Sequence, residues 1–290
     1  MKKGIKYFLI VCCLCMLTIA CTQTVCALSF GDLDGDGHVY AADARLALRA
    51  TVNLEKLSAE QKKAADADAD NKITASDARR ILRLCVELVN KNDSCANGMA
   101  GAQLVGFTAN DYKVYSKNGL IYIDGLLIAN KTYPLTSSYA PGGLQSACSS
   151  AFATMQAAAK KSGVTLTIVS GYRSYQHQTN TYNRYVNRDG KAKADTYSAR
   201  PGHSEHQTGL AMDLNSLYTS FANTKEGKWL AANAHKYGFI IRYPNGKTAQ
   251  TGYIYEPWHV RYVGTDKAAK IYNSGLCLEE YYGITSVYAN

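Results

Sequence analysis

The stretch Ser204-Glu205-His206-Gln207-Thr208-Gly209-Leu210-Ala211-Met212-Asp213 sets a histidine and an aspartate seven residues apart, in a run of mostly small and apolar residues. Leu210, Met212 and Leu214 alternate with Ala211 and Asp213. That period of two marks a strand with Asp213 turned away from the apolar face. Gly209 permits a tight turn that folds His206 back toward Asp213. About forty residues on lies a second cluster, Glu256-Pro257-Trp258-His259. Glu256 precedes a proline and is therefore biased to extended backbone. This puts Glu256 and His259 on one short, stiff segment. A buried ion pair or hydrogen-bonded core histidines would account for either cluster alone. Together they supply two imidazoles, a carboxylate ligand and a spare glutamate. A hydrolytic zinc site needs those parts: three protein ligands, an open position for water and a carboxylate base. The expected ligands are His206, Asp213 and His259, around one zinc ion, and the expected base is Glu256.

The pattern S-x-H-x-x-G-x-A-x-D followed by E-x-W-H resembles the VanY-like zinc D-alanyl-D-alanine carboxypeptidases, within a wider superfamily that includes lysostaphin and hedgehog. Ser170-Gly171-Tyr172-Arg173-Ser174, Gly238-Phe239-Ile240-Ile241-Arg242-Tyr243-Pro244 and Arg261-Tyr262-Val263-Gly264 extend the likeness over about residues 120–284. The resemblance implies removal of a terminal D-alanine from peptidoglycan stem peptides. In this reading Glu256 takes a proton from the attacking water and returns it to the leaving amine. Arg173 shares the charge that grows on the attacked carbonyl oxygen. Ser204 and Gln178 hold polar groups of the substrate, by analogy with the family. His203 is offset from the pattern and is expected behind the ligands or uninvolved. His177 and His235 read as surface or helix residues. The motifs leave D,D- and L,D-carboxypeptidase, cross-link endopeptidase and non-catalytic wall-binding readings open, with D,D favoured.

The 290 residues allow two domains, and the hydrophobic content of 47% allows a core. The net charge of +9 is uneven: residues 91–290 carry twenty basic residues against twelve acidic, whereas residues 28–90 carry nine against eleven. The excess therefore sits with the expected zinc site and suits equally an anionic partner such as a wall polymer or a solvated surface with no partner. No nucleic-acid motif and no basic patch interleaved with aromatics is present, which excludes nucleic acid as a partner.

Lys2, Lys3 and Lys6 precede an apolar run from Tyr7 to Ala20, too short for a comfortable membrane span and suited to a signal peptide over residues 1–27. Val25-Cys26-Ala27 offers a cleavage site. Lipidation at Cys21 competes, without the leucine usual in such a signal. The expectation is a bacterial protein, secreted or held at the cell surface, with no transmembrane span once mature. Of nine cysteines, Cys85, Cys95, Cys148 and Cys277 lie beyond the signal. They allow three pairings, of which Cys85–Cys95 with Cys148–Cys277 is the one expected here.

Residues 28–90 contain a repeat. Asp32-Leu33-Asp34-Gly35-Asp36-Gly37-His38-Val39-Tyr40-Ala41-Ala42-Asp43 returns thirty-four residues later as Asp66-Ala67-Asp68-Ala69-Asp70-Asn71-Lys72-Ile73-Thr74-Ala75-Ser76-Asp77. Acids fall at positions 1, 3, 5 and 12 of each twelve-residue loop, with His38 and Lys72 at position 7, the pattern of a calcium loop. Position 6 needs a sharp turn, which Gly37 supplies and Asn71 tolerates. Position 12 is aspartate where an ordinary EF-hand has glutamate. A helix follows each loop. The duplicated loop-helix resembles a type I dockerin, which implies two structural calcium ions and a cohesin domain of a scaffold protein as partner.

Residues 91–119 read as a linker and lead-in, because Asn92 to Gly98 is polar and turn-rich. Leu120–Ile123 and Leu126–Ile128 around Asp124-Gly125 read as a hairpin. Helices are expected over 144–161, 175–187 and 227–237, and a strand over 164–170. Strands and helices do not alternate as parallel units would. An α+β domain is expected over 120–290, an antiparallel sheet with helices around it, beside a small all-α calcium-binding domain.

Overall fold

The computed structural model describes residues 28–89 and 101–289. The expected signal peptide, Cys21, Cys95 and the polar run 92–98 lie outside the described residues.

The repeat folds as two loop-helix units. Helix α1 (Ala41–Thr51) follows the first loop, α2 (Ala59–Ala65) crosses over, and α3 (Ala75–Val89) follows the second. Leu33, Ala47, Ala65 and Ile81 are buried between them. Asn71 takes the left-handed turn at φ 65° that Gly37 takes at φ 86°, so position 6 of both loops makes its bend.

Two four-stranded antiparallel sheets follow. The first runs β1 (Gln103–Phe107), β2 (Lys113–Lys117), β3 (Leu120–Ile123), β4 (Leu126–Ile128) as a meander. The β3–β4 hairpin turns at Asp124 and Gly125, both at positive φ, as the sequence expects. The second half of the lead-in expected over 91–119 forms two of these strands. Val105 and Val114 pack against the hairpin and the C-terminal helices, and Phe107 lies under Arg83 of the repeat.

Beyond the first sheet come α4 (Ser146–Lys161), β5 (Ile168–Ser170), α5 (Tyr175–Asp189), α6 (Lys191–Ala194), β6 (Ala211–Leu214), α7 (Lys225–Asn233), β7 (Phe239–Tyr243), α8 (Thr248–Thr251), β8 (Glu256–Tyr262), α9 (Thr265–Ser274) and α10 (Leu278–Tyr282). The second sheet has the order β5-β6-β8-β7. Met212, Leu214, Phe239 and Val260 cover α4 and α7 through Phe152, Met155 and Leu230. Ile240 and Val263 face α9, α10 and the first sheet. The expected strand 164–170 pairs only over Ile168–Ser170, and the expected helix to Tyr237 ends at Asn233 and tightens into a 3₁₀ turn.

Arg80 joins the repeat to the first sheet. It is 2% exposed and reaches from α3 to Asp111 Oδ1 at 3.0 Å, to the carbonyls of Thr108 and Ala109, and to Asp68 of the second loop. The Phe107 N–H donates to Ala67 O of that loop at 2.8 Å.

The expected Cys148–Cys277 disulfide is absent. Cys148 is a free thiol in the core under the second sheet, and Cys277 is a free thiol at the start of α10, with its backbone N–H on Glu280. Cys85 is also free, its thiol donating to Ile81 O. Among the described residues no helix is long and apolar enough to cross a membrane.

Candidate active site

Asp213 and His259 are directly opposed on β6 and β8, so their side chains leave the same face of the sheet. Met212 and Leu214 anchor the other face in the core. His206 comes from a 3₁₀ turn over Glu205–Thr208 that ends at Gly209, φ 68°. A Cβ at Gly209 would stand 2.4 Å from Gly143 O. Only glycine fits that return, and the return is what brings His206 to the strand.

The three side chains converge. His206 Nε2 lies 3.2 Å from Asp213 Oδ2, and His259 Nδ1 lies 3.0 Å from Asp213 Oδ1. One ligand atom from each residue falls within 4.8 Å of the others, and all three residues are buried. His206 Nδ1–H donates to Gly171 O at 2.7 Å, which leaves Nε2 with a free lone pair. This donor set of two imidazoles and a carboxylate fits zinc. The burial that would penalise Asp213 is outweighed by His206 and His259, which hold its carboxyl far below the usual range.

Glu256 opens β8 opposite Tyr243. Its Oε2 stands 3.8 Å from His259 Nδ1, beside the cluster of His206, Asp213 and His259. Burial and the Asp213 charge push its carboxyl up to about 8, against His259 and Arg173. A carboxyl so placed holds and releases a proton near neutrality.

These groups line a cavity of about 260 Å³, with Arg173, Gln178, Ser204 and Trp258 in its wall. Arg173 follows β5, as the sequence expects. Its guanidinium donates to Gln178 Oε1 at 2.8 Å and Ser170 Oγ at 2.9 Å. Gln178 also donates to Ala199 O. Both ends of its amide are engaged, so it fixes Arg173 in place. His203 is turned from the ligands, its Nδ1 on Asn130 O. His177 is exposed on α5, and His235 stacks on Tyr272.

One participant escapes the sequence reading. Glu205 is buried between Arg242 and Arg261, which donate to its Oε1 at 2.7 and 2.9 Å. The signal for it was present: two arginines inside the apolar strands 239–243 and 256–262 need a buried acid.

In the calcium loops Asp32, Asp34 and Asp36 cluster, as do Asp66, Asp68 and Asp70. A buried Asp68 Oδ1 has no hydrogen-bond partner, which fits a cation there. Asp43 and Asp77 lie outside the clusters. Asp43 accepts the N–H groups of Leu33, Asp34 and Tyr40, and Asp77 those of Ala67 and Thr74. Position 12 therefore ties each loop to its helix. His38 and Lys72 each give a backbone N–H to the aspartate two residues before.

A family model for VanY D-alanyl-D-alanine carboxypeptidases matches residues 142–265, and one for type I dockerins matches 30–84. The LdcB LD-carboxypeptidase, whose structure was described for its peptidoglycan recognition, is 43% identical. The match covers 61% of this chain and 98% of that one, with a TM-score of 0.56. The chain belongs to the VanY carboxypeptidase family. It also carries a type I dockerin domain. YodJ of Bacillus subtilis (strain 168), a carboxypeptidase by name, is 44% identical over 181 residues, 54% of this chain and 66% of its own length. A D-alanyl-D-alanine carboxypeptidase of Enterococcus faecalis (strain ATCC 700802 / V583) is 44% identical over 133 residues, 43% of this chain and 50% of its own. The chain thus spans about half to two thirds of these curated relatives.

Proposed function

We propose that this protein removes the C-terminal D-alanine from peptidoglycan stem peptides at a zinc centre, and that its dockerin attaches it to a cohesin domain of a scaffold outside the cell. The convergence of His206, Asp213 and His259 beside Glu256 in one cavity carries this reading. His206, Asp213 and His259 would hold the zinc, which would supply Lewis-acid polarisation of a water and of the scissile carbonyl. Glu256 accepts the water's proton and returns it to the departing amine of D-alanine. Arg173, braced by Gln178 and Ser170, offers a fixed positive charge to the oxygen on which negative charge grows. Ser204, buried in the cavity wall, is placed to meet a polar group of the peptide.

The family's name and the E. faecalis relative support a D,D-carboxypeptidase. The match to LdcB, which spans nearly all of that chain, favours a second reading, an L,D-carboxypeptidase acting on tetrapeptides. The two differ in the residue that precedes the scissile bond. Pentapeptide and tetrapeptide muropeptides, incubated separately with zinc-loaded protein and read by mass, decide between them. Release of one alanine from the pentapeptide alone supports the first and from the tetrapeptide alone the second. Opening of cross-linked dimers without free alanine would make the protein an endopeptidase and sink both.

The dockerin is proposed to span residues 28–90 with two structural calcium ions, held by the two aspartate clusters and the carbonyls of His38 and Lys72. The peptidase unit begins at β1. Residues 1–27 are proposed to direct export. Co-precipitation with cohesin domains that is lost on calcium removal tests the attachment.

A further inference from the structure

We propose that Glu205 is a positioning residue that decides which nitrogen of His259 faces the metal. The inference rests on the zinc reading above.

Glu205 stands one residue before His206 and is 1% exposed. Its Oε1 accepts from Arg242 Nε at 2.7 Å and from Arg261 Nη1 at 2.9 Å. Both guanidinium groups are buried, and Arg242 also forks onto Glu279, with Nη1 2.7 Å from Oε2. Two acids and two arginines thus balance inside the fold. Oε2 of Glu205 is different. It is buried without a hydrogen-bond partner, and so is His259 Nε2. These two atoms face each other at 3.5 Å.

A carboxylate pinned by two arginines has no proton to give and acts only as an acceptor. Once the metal engages Asp213, the ring nitrogen beside Glu205 is the one that keeps its N–H, and the opposite nitrogen, Nδ1, is the one free to offer a lone pair. Nδ1 is the atom that points at Asp213. His206 is arranged the other way round: its Nδ1–H is taken by Gly171 O, and its Nε2 points at Asp213. The two imidazoles therefore present opposite nitrogens to one point, each set by an acceptor behind it. Such an acceptor fixes the ring and raises its basicity as a ligand. If Glu205 served only to balance Arg242 and Arg261, nothing would place its second oxygen against the histidine.

Two measurements test this without substrate. In nitrogen-15 histidine-labelled protein loaded with cadmium-113, coupling is expected to His206 Nε2 and His259 Nδ1, with a proton retained on His259 Nε2. Coupling to His259 Nε2 would overturn the inference, and this readout needs no variant. Second, Glu205→Gln, and Glu205→Gln combined with Arg261→Met to restore the charge balance, are compared with the parent by chelator competition. Folded variants are expected to hold zinc about 10- to 100-fold more weakly and to shift the visible bands of the cobalt-substituted protein. Parent-like zinc affinity and an unchanged cobalt spectrum would overturn it. A parent that binds zinc but releases no alanine would defeat the peptidase reading and leave Glu205 judged on the metal alone. A parent that binds no zinc would defeat both.

Discussion

The proton chemistry proposed for Glu256 rests on burial. Its side chain is buried in the cavity wall, Asp213 lies close by, and its carboxyl is pushed up to about 8. Glu256→Ala is expected to keep zinc and to lower turnover by about a thousandfold or more, since both water activation and leaving-group protonation fail. Zinc content and kcat measured on one preparation check this; parent-like turnover would remove Glu256 as the base. The same environment gives a pH dependence in the metal-stripped protein. Glu256 rises from 4.5 to about 8, and His259 rises from 6.5 to about 9 through Asp213 and Glu205. Both hold protons in the folded state that the unfolded chain has released, so stability falls as pH rises. His206, whose pKa is lowered by burial, has the opposite sign, but above 6.5 it is neutral in both states. The melting temperature without metal is therefore expected to drop between about pH 6.5 and 9. A flat or rising trace would contradict the assigned environments.

At the scale of elements, the site depends on how one turn meets one strand pair. Gly209→Ala meets Gly143 O at 2.4 Å and needs φ +68°. The backbone strain alone costs about 1–3 kcal/mol, so a lower melting temperature and weaker zinc binding are expected together. Unchanged values for both would show that the turn does not place His206. Much of this was legible in the sequence. The alternation Leu210, Met212, Leu214 put Asp213 on the polar face of β6, and the proline after Glu256 marked extended backbone. The cross-strand pairing of Asp213 with His259 was not legible, because register is set by long-range packing of β6 on β8. Residues 103–117, part of the expected lead-in, form two strands that pair beside the hairpin, and that long-range pairing is likewise not written in the local sequence. Gln178, expected to hold a polar group of the substrate, lines the cavity with its amide engaged by Arg173 and Ala199.

At the scale of the whole molecule, the repeat and the peptidase unit are joined through Arg80. It is buried between Asp68 of the second calcium loop and Asp111 of the β1–β2 turn. Removing one partner of a buried pair costs about 3–5 kcal/mol. Arg80→Ala is therefore expected to speed amide exchange over β1 and β2 and over the second loop, while β6 and β8 keep their protection. Uniform protection in the variant would show that the contact contributes nothing. Calcium withdrawal at fixed zinc is expected to expose α1 and α3 to exchange first, because the clustered aspartates then repel, offset by Arg80 at Asp68 alone of the acids in the second cluster.

All three scales meet at the single zinc ion proposed for His206, Asp213 and His259, with Glu256 beside it. Zinc anomalous density from crystals of the zinc-loaded protein tests that most directly. The expected result is one peak within bonding distance of His206 Nε2, His259 Nδ1 and an Asp213 oxygen, with Glu256 near but not ligating. A peak elsewhere, or those three side chains facing apart around no density, would contradict it.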